Sequence, residues 1–309
     1  MSAENRVAAS SPAGSIYDLG YRHYEGKRHG RWFATWSLYV DSLRGIWGFG
    51  RPMSAKAAPF ILAGLYALPA VIVLAFSASI SKSIATGGTN PADLPNYANY
   101  FGGIGTFIVL FLVAQAPEVV CRDQRYQVLP LYFTRAMGRS DYAVARLLSL
   151  ATALFLVLMV PVIALFIGDI LMGTDAFKAV GSEWPKALPS IPSNLLIAAS
   201  MASIALALSS YSPRRAYAAV GVLAYFLLVE FVPIVIYGIG HEAGAKWVDV
   251  LPLITPITGL SRANDWFFGV PIPADFPSSI GAGVYVLASL VSTLLFTGIL
   301  VWRYRRIAA

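Results

Sequence analysis

Residues Leu147–Ile167 read LLSLATALFLVLMVPVIALFI, a stretch of 21 residues with no charged side chain. A helix needs about 20 apolar residues to cross a roughly 30 Å hydrocarbon core, and lipid demands that every backbone polar group be bonded within the segment. The stretch is therefore a spanning helix. Five more of similar character flank it, at 57–80, 100–116, 193–210, 216–240 and 281–301.

Composition agrees. Of the 309 residues, 57% are hydrophobic and only 13% charged, whereas soluble domains carry roughly a quarter charged residues. The expected fold is an all-α integral membrane protein with about six transmembrane helices, preceded by an amphipathic interface helix. Three regions follow: a cytoplasmic tail at 1–30, the interface helix and linker at 31–56, and a six-helix transmembrane domain at 57–309. The fourth span, SNLLIAASMASIALALSS, is the least apolar, and a re-entrant helix is its alternative. Ala198, Ala199, Ala202 and Ser203 form small-xxx-small pairs on it, which suit close helix packing. Pro69, Pro161 and Pro233 fall inside spans and are expected to loosen them.

Charge orients the chain. With the N-terminus inside, the inner segments hold 18 Lys and Arg and the outer segments 5, over similar lengths. That bias matches positive-inside topology, with both termini cytoplasmic in the plasma membrane, here a bacterial inner membrane. The segment before the first span has no signal-peptide pattern, so that span is expected to direct insertion. The net charge of +7 is absorbed by this bias, and nucleic acid is not an expected partner.

Residues 31–50 read RWFATWSLYVDSLRGIWGFG. Trp32, Phe33, Trp36, Tyr39, Val40, Leu43, Ile46 and Trp47 fall on one helical face. Aromatic residues in that pattern suit a helix lying at headgroup level, in contact with the lipid bilayer.

Catalytic signals are missing. His241-Glu242 begins HEAGA, but a zinc-protease helix needs a second His where Ala245 stands. No nucleotide-binding loop and no nucleophile elbow occur. The only cysteine, Cys121, precludes an intrachain disulfide. The chain is thus expected to be no enzyme by itself, with no metal and no cofactor of its own. Glu230 is the one acidic residue well inside a span, about 24 Å along its helix. It either contacts a transport pathway or hydrogen-bonds a neighbouring helix.

The long inner segment 117–146, PEVVCRDQRYQVLPLYFTRAMGRSDYAVAR, is polar enough to leave the bilayer. It contains Glu118, Asp123, Leu129-Pro130-Leu131, Arg135, Arg139, Tyr142 and Arg146 in order. With the interface helix before it, SPRR at 212–215 after it and YDLGYRHYEGKRHGR at 17–31, the chain resembles the membrane-spanning permease subunit of ABC exporters of the type-2 export class.

The resemblance implies a half-transporter. Two six-helix subunits, identical or sister chains, enclose a pathway, and a separate cytosolic ABC ATPase binds each. That ATPase holds ATP and Mg. A short coupling helix at about 117–127 docks into it, with Glu118, Arg122, Asp123 and Arg125 as contacts. The apolar spans favour export of a hydrophobic or amphipathic cargo, a drug-like molecule or a lipid. The alternatives are an ion-coupled secondary carrier using Glu230 and a non-transporting anchor or sensor.

Overall fold

The computed structural model describes residues 26, 29–88, 94–134, 137–172, 176–271 and 280–306. The expected tail at 1–30 lies almost wholly outside the described residues, as does Arg135. The described chain is built from helices: α1 (Arg31–Ile46), α2 (Met53–Ala75), α3 (Ser77–Ala85), α4 (Tyr100–Ile104), α5 (Thr106–Arg125), α6 (Leu129–Phe133) and α7 (Arg139–Met172). Then follow α8 (Ala176–Ala187), α9 (Ser190–Ser209), α10 (Arg215–Glu242), a 3₁₀ segment (Lys246–Leu253), α11 (Pro256–Phe268) and α12 (Ala282–Arg306). It is an all-α membrane protein.

Among the described residues, five helices are long and apolar enough to cross a bilayer: Lys56–Ala75, Arg139–Leu171, Phe177–Ser209, Arg215–Glu242 and Ala282–Arg306. The second expected span, 100–116, is not among them. It is broken at Gly105 into α4 and α5, and α5 runs on through Glu118, Arg122, Asp123 and Arg125. Those charges lower the apolarity of the helix as a whole. The first expected span is also shorter than its apolar run. Helix α2 stops at Ala75, and α3 restarts the chain after Phe76.

The helices differ in how far neighbours cover them. In its most apolar window, the α8–α9 stretch is 67% buried, α7 50%, and α12 only 17%. So α9 is the axis, packed against α5, α7, α10, α11 and α12. This explains its weak apolarity. Ala198, Ala202, Ser203 and Ala205 are fully buried at helix contacts, where small side chains let backbones approach and the attraction is dispersion rather than lipid exclusion. Ser200 hydrogen-bonds Thr293 of α12 at 2.6 Å.

Helix α1 also needs correction. Its buried side is Leu38, Ser42 and Ile46, spaced four apart and seated largely on α7. Trp32, Phe33 and Trp36 face outward. Trp47 turns inward and meets Phe60 and Phe111 at ring-centroid distances of 5.3 and 6.2 Å. The expected single aromatic face is thus split between an open N-terminal half and a docked C-terminal half, with Tyr39 and Leu43 partly buried between. The buried side is the one that packs on α7.

Candidate functional site

The segment 117–146 is not a free loop. Helix α5 continues to Arg125, so Pro117–Arg125 is its last turns rather than a separate coupling helix. Tyr126 follows, then Gln127 in left-handed backbone (φ 53°) turns the chain toward α6. A left-handed conformation is unfavourable for a residue with a Cβ, and turns at functional sites often carry such strain. By Arg139 the chain has entered α7.

The four residues expected at this site separate into two kinds. Glu118 and Asp123 face into the protein, and Arg122 and Arg125 face out. Glu118 is held between two arginines: it accepts from Arg51 of the α1–α2 connector, and Arg215 at the start of α10 pairs with it at 2.9 Å. Asp123 accepts from Arg146 and, at 2.7 Å, from the Tyr142 hydroxyl, both on α7. Arg146 also donates to Ser42 of α1 at 2.7 Å and lies over the Tyr142 ring. Glu118 is thus answered by two guanidinium groups, and Asp123 by a guanidinium and a hydroxyl, as a charge removed from water requires.

A third set of contacts extends the network to the far side. Gln124 donates to the Ser210 carbonyl at 2.9 Å and to the Tyr304 hydroxyl at 3.2 Å. Arg303 donates to the same carbonyl at 2.6 Å. About two turns of α5, Glu118–Gln124, therefore hold the α1–α2 connector, α7, α10, α12 and the end of α9, and reach α1 through Arg146. The resemblance points to Glu118 and Asp123 together with Arg122 and Arg125. The Glu118 partners Arg51 and Arg215 carry only topology charge in the sequence, although SPRR at 212–215 marks Arg215, and Ser42 and Tyr304, which accept from Arg146 and Gln124, carry no signal there.

Between α1, α5 and α6 opens a cleft of about 990 Å³. Arg44, Arg51, Arg122, Tyr126, Leu131 and Tyr132 are among its walls. Tyr126 and Leu131 are each 65% exposed, so an apolar and aromatic knob stands beside basic side chains. Burial, with Asp123 nearby, pushes the Tyr132 phenol above its ordinary range, and it remains a neutral donor there.

Glu230 lies just past the middle of α10. Its carboxylate accepts the backbone N–H groups of Ile257 and Thr258 at 2.7 and 2.9 Å, and the Thr258 hydroxyl. These are first-turn amides of α11, where Pro256 opens the helix. The charge satisfies orphan donors and opposes the helix dipole. Among the described residues no three of His, Cys, Asp and Glu gather in a way that could hold a metal ion.

A family model described as a protein of unknown function matches residues 70–308, about three quarters of the chain. The chain belongs to the DUF2705 family. The DUF2705 match starts inside α2, so α7, α9, α10, α12 and the charged end of α5 lie within it, whereas α1 and Arg51 precede it. No curated protein matches the chain.

Proposed function

We propose that this chain is the permease subunit of an ATP-driven exporter, worked by a separate cytosolic ATPase that seats on the α5–α6 turn. The observation that carries the proposal is the division of labour at the end of α5. Arg122 and Tyr126 face outward beside the cleft for a partner, while Glu118 and Asp123 tie the same turns to the α1–α2 connector, α7 and α10. A push on the turn is then delivered to several helices as a rigid-body movement rather than lost in a flexible loop. The adjacent cleft beside Arg44 and Leu131 offers a seat for a partner's side chains.

In this reading ATP closes an ATPase dimer, the paired turns move with it, and the two permease subunits open outward. The chain supplies no nucleotide loop, so ATP and Mg belong to the partner. Its membrane helices are apolar throughout, which favours hydrophobic or amphipathic cargo. The arginine-rich end, with both α1 and the C-terminal end of α12, faces the cytosol of a bacterial inner membrane. An ion-coupled carrier is less well supported, because Glu230 is fully engaged at the start of α11.

Co-purification in mild detergent tests the proposal. A cytosolic ATPase should be retained, and its turnover in vesicles should rise several-fold when this chain is present. Charge reversal at Arg122 should lower that stimulation with insertion intact. Loss of neither retention nor stimulation on charge reversal at Arg122, or no ATPase partner with the unmodified chain, overturns it.

A further inference from the structure

A second cleft, of about 940 Å³, opens where the end of α5 meets the start of α10. Its walls include Arg125, Arg214, Arg215, Gln124, Ala216 and Ala219, with three arginines and no carboxylate. Arg215 shares Glu118 with Arg51, but Arg125 and Arg214 make no ion pair among the described residues. Helix α10 begins at Arg215 with no side-chain cap and no acidic residue in its first turn. Its first amides thus add donors and a positive dipole end to the arginines.

The depth of this cleft selects its occupant. Helix α10 has 28 residues and a length of about 42 Å, close to a bilayer counted with its headgroups. When its apolar stretch crosses the core, Arg214 and Arg215 stand at headgroup level. Below them the outward side of α10 is apolar and open: Tyr217 and Val220 are both 64% exposed, and Leu228 and Phe231 both 61%. A basic cleft above an exposed apolar face of one helix matches a phosphate joined to acyl chains, and basic pockets between spanning helices take anionic headgroups.

We propose that this cleft holds the phosphate of an anionic phospholipid, with Arg125 and Arg214 as its charged partners and the α10 face carrying the acyl chains. No motor is needed for this binding, so it can be tested on the chain alone. Protein purified in a neutral detergent is melted with added phosphatidylglycerol, with phosphatidylcholine and with inorganic phosphate, and retained lipid is measured by native mass spectrometry.

Phosphatidylglycerol should raise the melting temperature by several degrees and stay bound; phosphatidylcholine and inorganic phosphate should do neither. The pair Arg125→Gln and Arg214→Gln should lose at least half of the shift and of the retained lipid. Arg125→Lys with Arg214→Lys should keep most of both, since a point charge suffices for phosphate. Arg305→Gln with Arg306→Gln removes the same charge from the end of α12 and should change neither. Equal shifts with both lipids overturn the proposal, and so do equal losses from the two Gln pairs. A full shift with inorganic phosphate alone overturns it in favour of a soluble anion. Efficient disulfide cross-linking between copies through Val220→Cys, unaffected by phosphatidylglycerol, overturns it in favour of a second copy covering α10. The comparison of lipids on the unmodified chain stands even where a variant fails to fold.

Discussion

Arg146 of α7 donates to Asp123 of α5 in a site where the two side chains retain only 8% and 11% of their exposure. A buried pair of this kind is expensive to break from one side, because the surviving charge has neither water nor partner. Asp123→Ala should therefore destabilise the protein by roughly 3–5 kcal/mol. Asp123→Leu combined with Arg146→Met should cost clearly less than the sum of the single changes. Thermal unfolding in detergent, run as a double-mutant cycle, measures this; additive losses would show that the two groups do not act together.

Glu118 makes a different kind of bond. Its side chain keeps 18% exposure, Arg51 keeps 26% and Arg215 keeps 62%. Water screens the Arg215 arm, and Arg215→Gln should change stability by less than about 1 kcal/mol. Glu118→Lys sets three cations together. It should weaken partner-stimulated ATP turnover several-fold while membrane insertion continues. An insertion assay and an ATPase assay on the same preparation separate the two effects, and unchanged stimulation would move the docking surface elsewhere.

Helix α11 depends on a residue of α10. Glu230→Ala removes the acceptor for two backbone amides and a hydroxyl, and should cost about 2 kcal/mol. Glu230→Gln keeps one acceptor oxygen and should cost less. Hydrogen exchange should quicken in the first turn of α11 in Glu230→Ala. Protection equal to the unmodified protein there would refute the capping role.

The two halves of α1 should respond differently. Trp47→Ala opens a gap against Phe60 and Phe111 and should cost about 2–3 kcal/mol. Trp32, 87% exposed, should tolerate the same change within about 0.5 kcal/mol in detergent. Brominated lipid should quench Trp32 and Trp36 fluorescence far more than Trp47. Equal quenching would place the whole helix against lipid.

Gln127 should gain from glycine. At φ 53° a Cβ is unfavourable, and Gln127→Gly should raise stability by a few tenths to about 1 kcal/mol. A fall in melting temperature would mean that the Gln127 side chain repays the strain through its own contacts.

Much of the architecture was legible because a bilayer imposes a one-dimensional test. Leu147–Ile167 is uncharged over its whole length, and it sits inside α7 as expected. The second span was legible only in part. Its apolar run stops at Ala116, but helix geometry continues to Arg125 because Glu118 and Asp123 find partners there. On α1 the aromatic residues drew the eye to Trp32 and Trp36, and Leu38, which faces the bundle, gave no comparable signal. Glu230 showed its cost in the sequence, but its donors lie 27 and 28 residues further on, beyond any helical period.

By itself the sequence determined that these helices are apolar enough for a membrane, since that follows from transfer energies of single residues. The tertiary structure alone decided which side of α1 is buried, that α9 forms the axis, and that Glu118 joins Arg51 to Arg215, 97 positions away from Glu118. Pairings of that kind depend on where whole helices come to rest, and that is settled by the sum of many small packing contacts, none of which leaves a local mark in the chain.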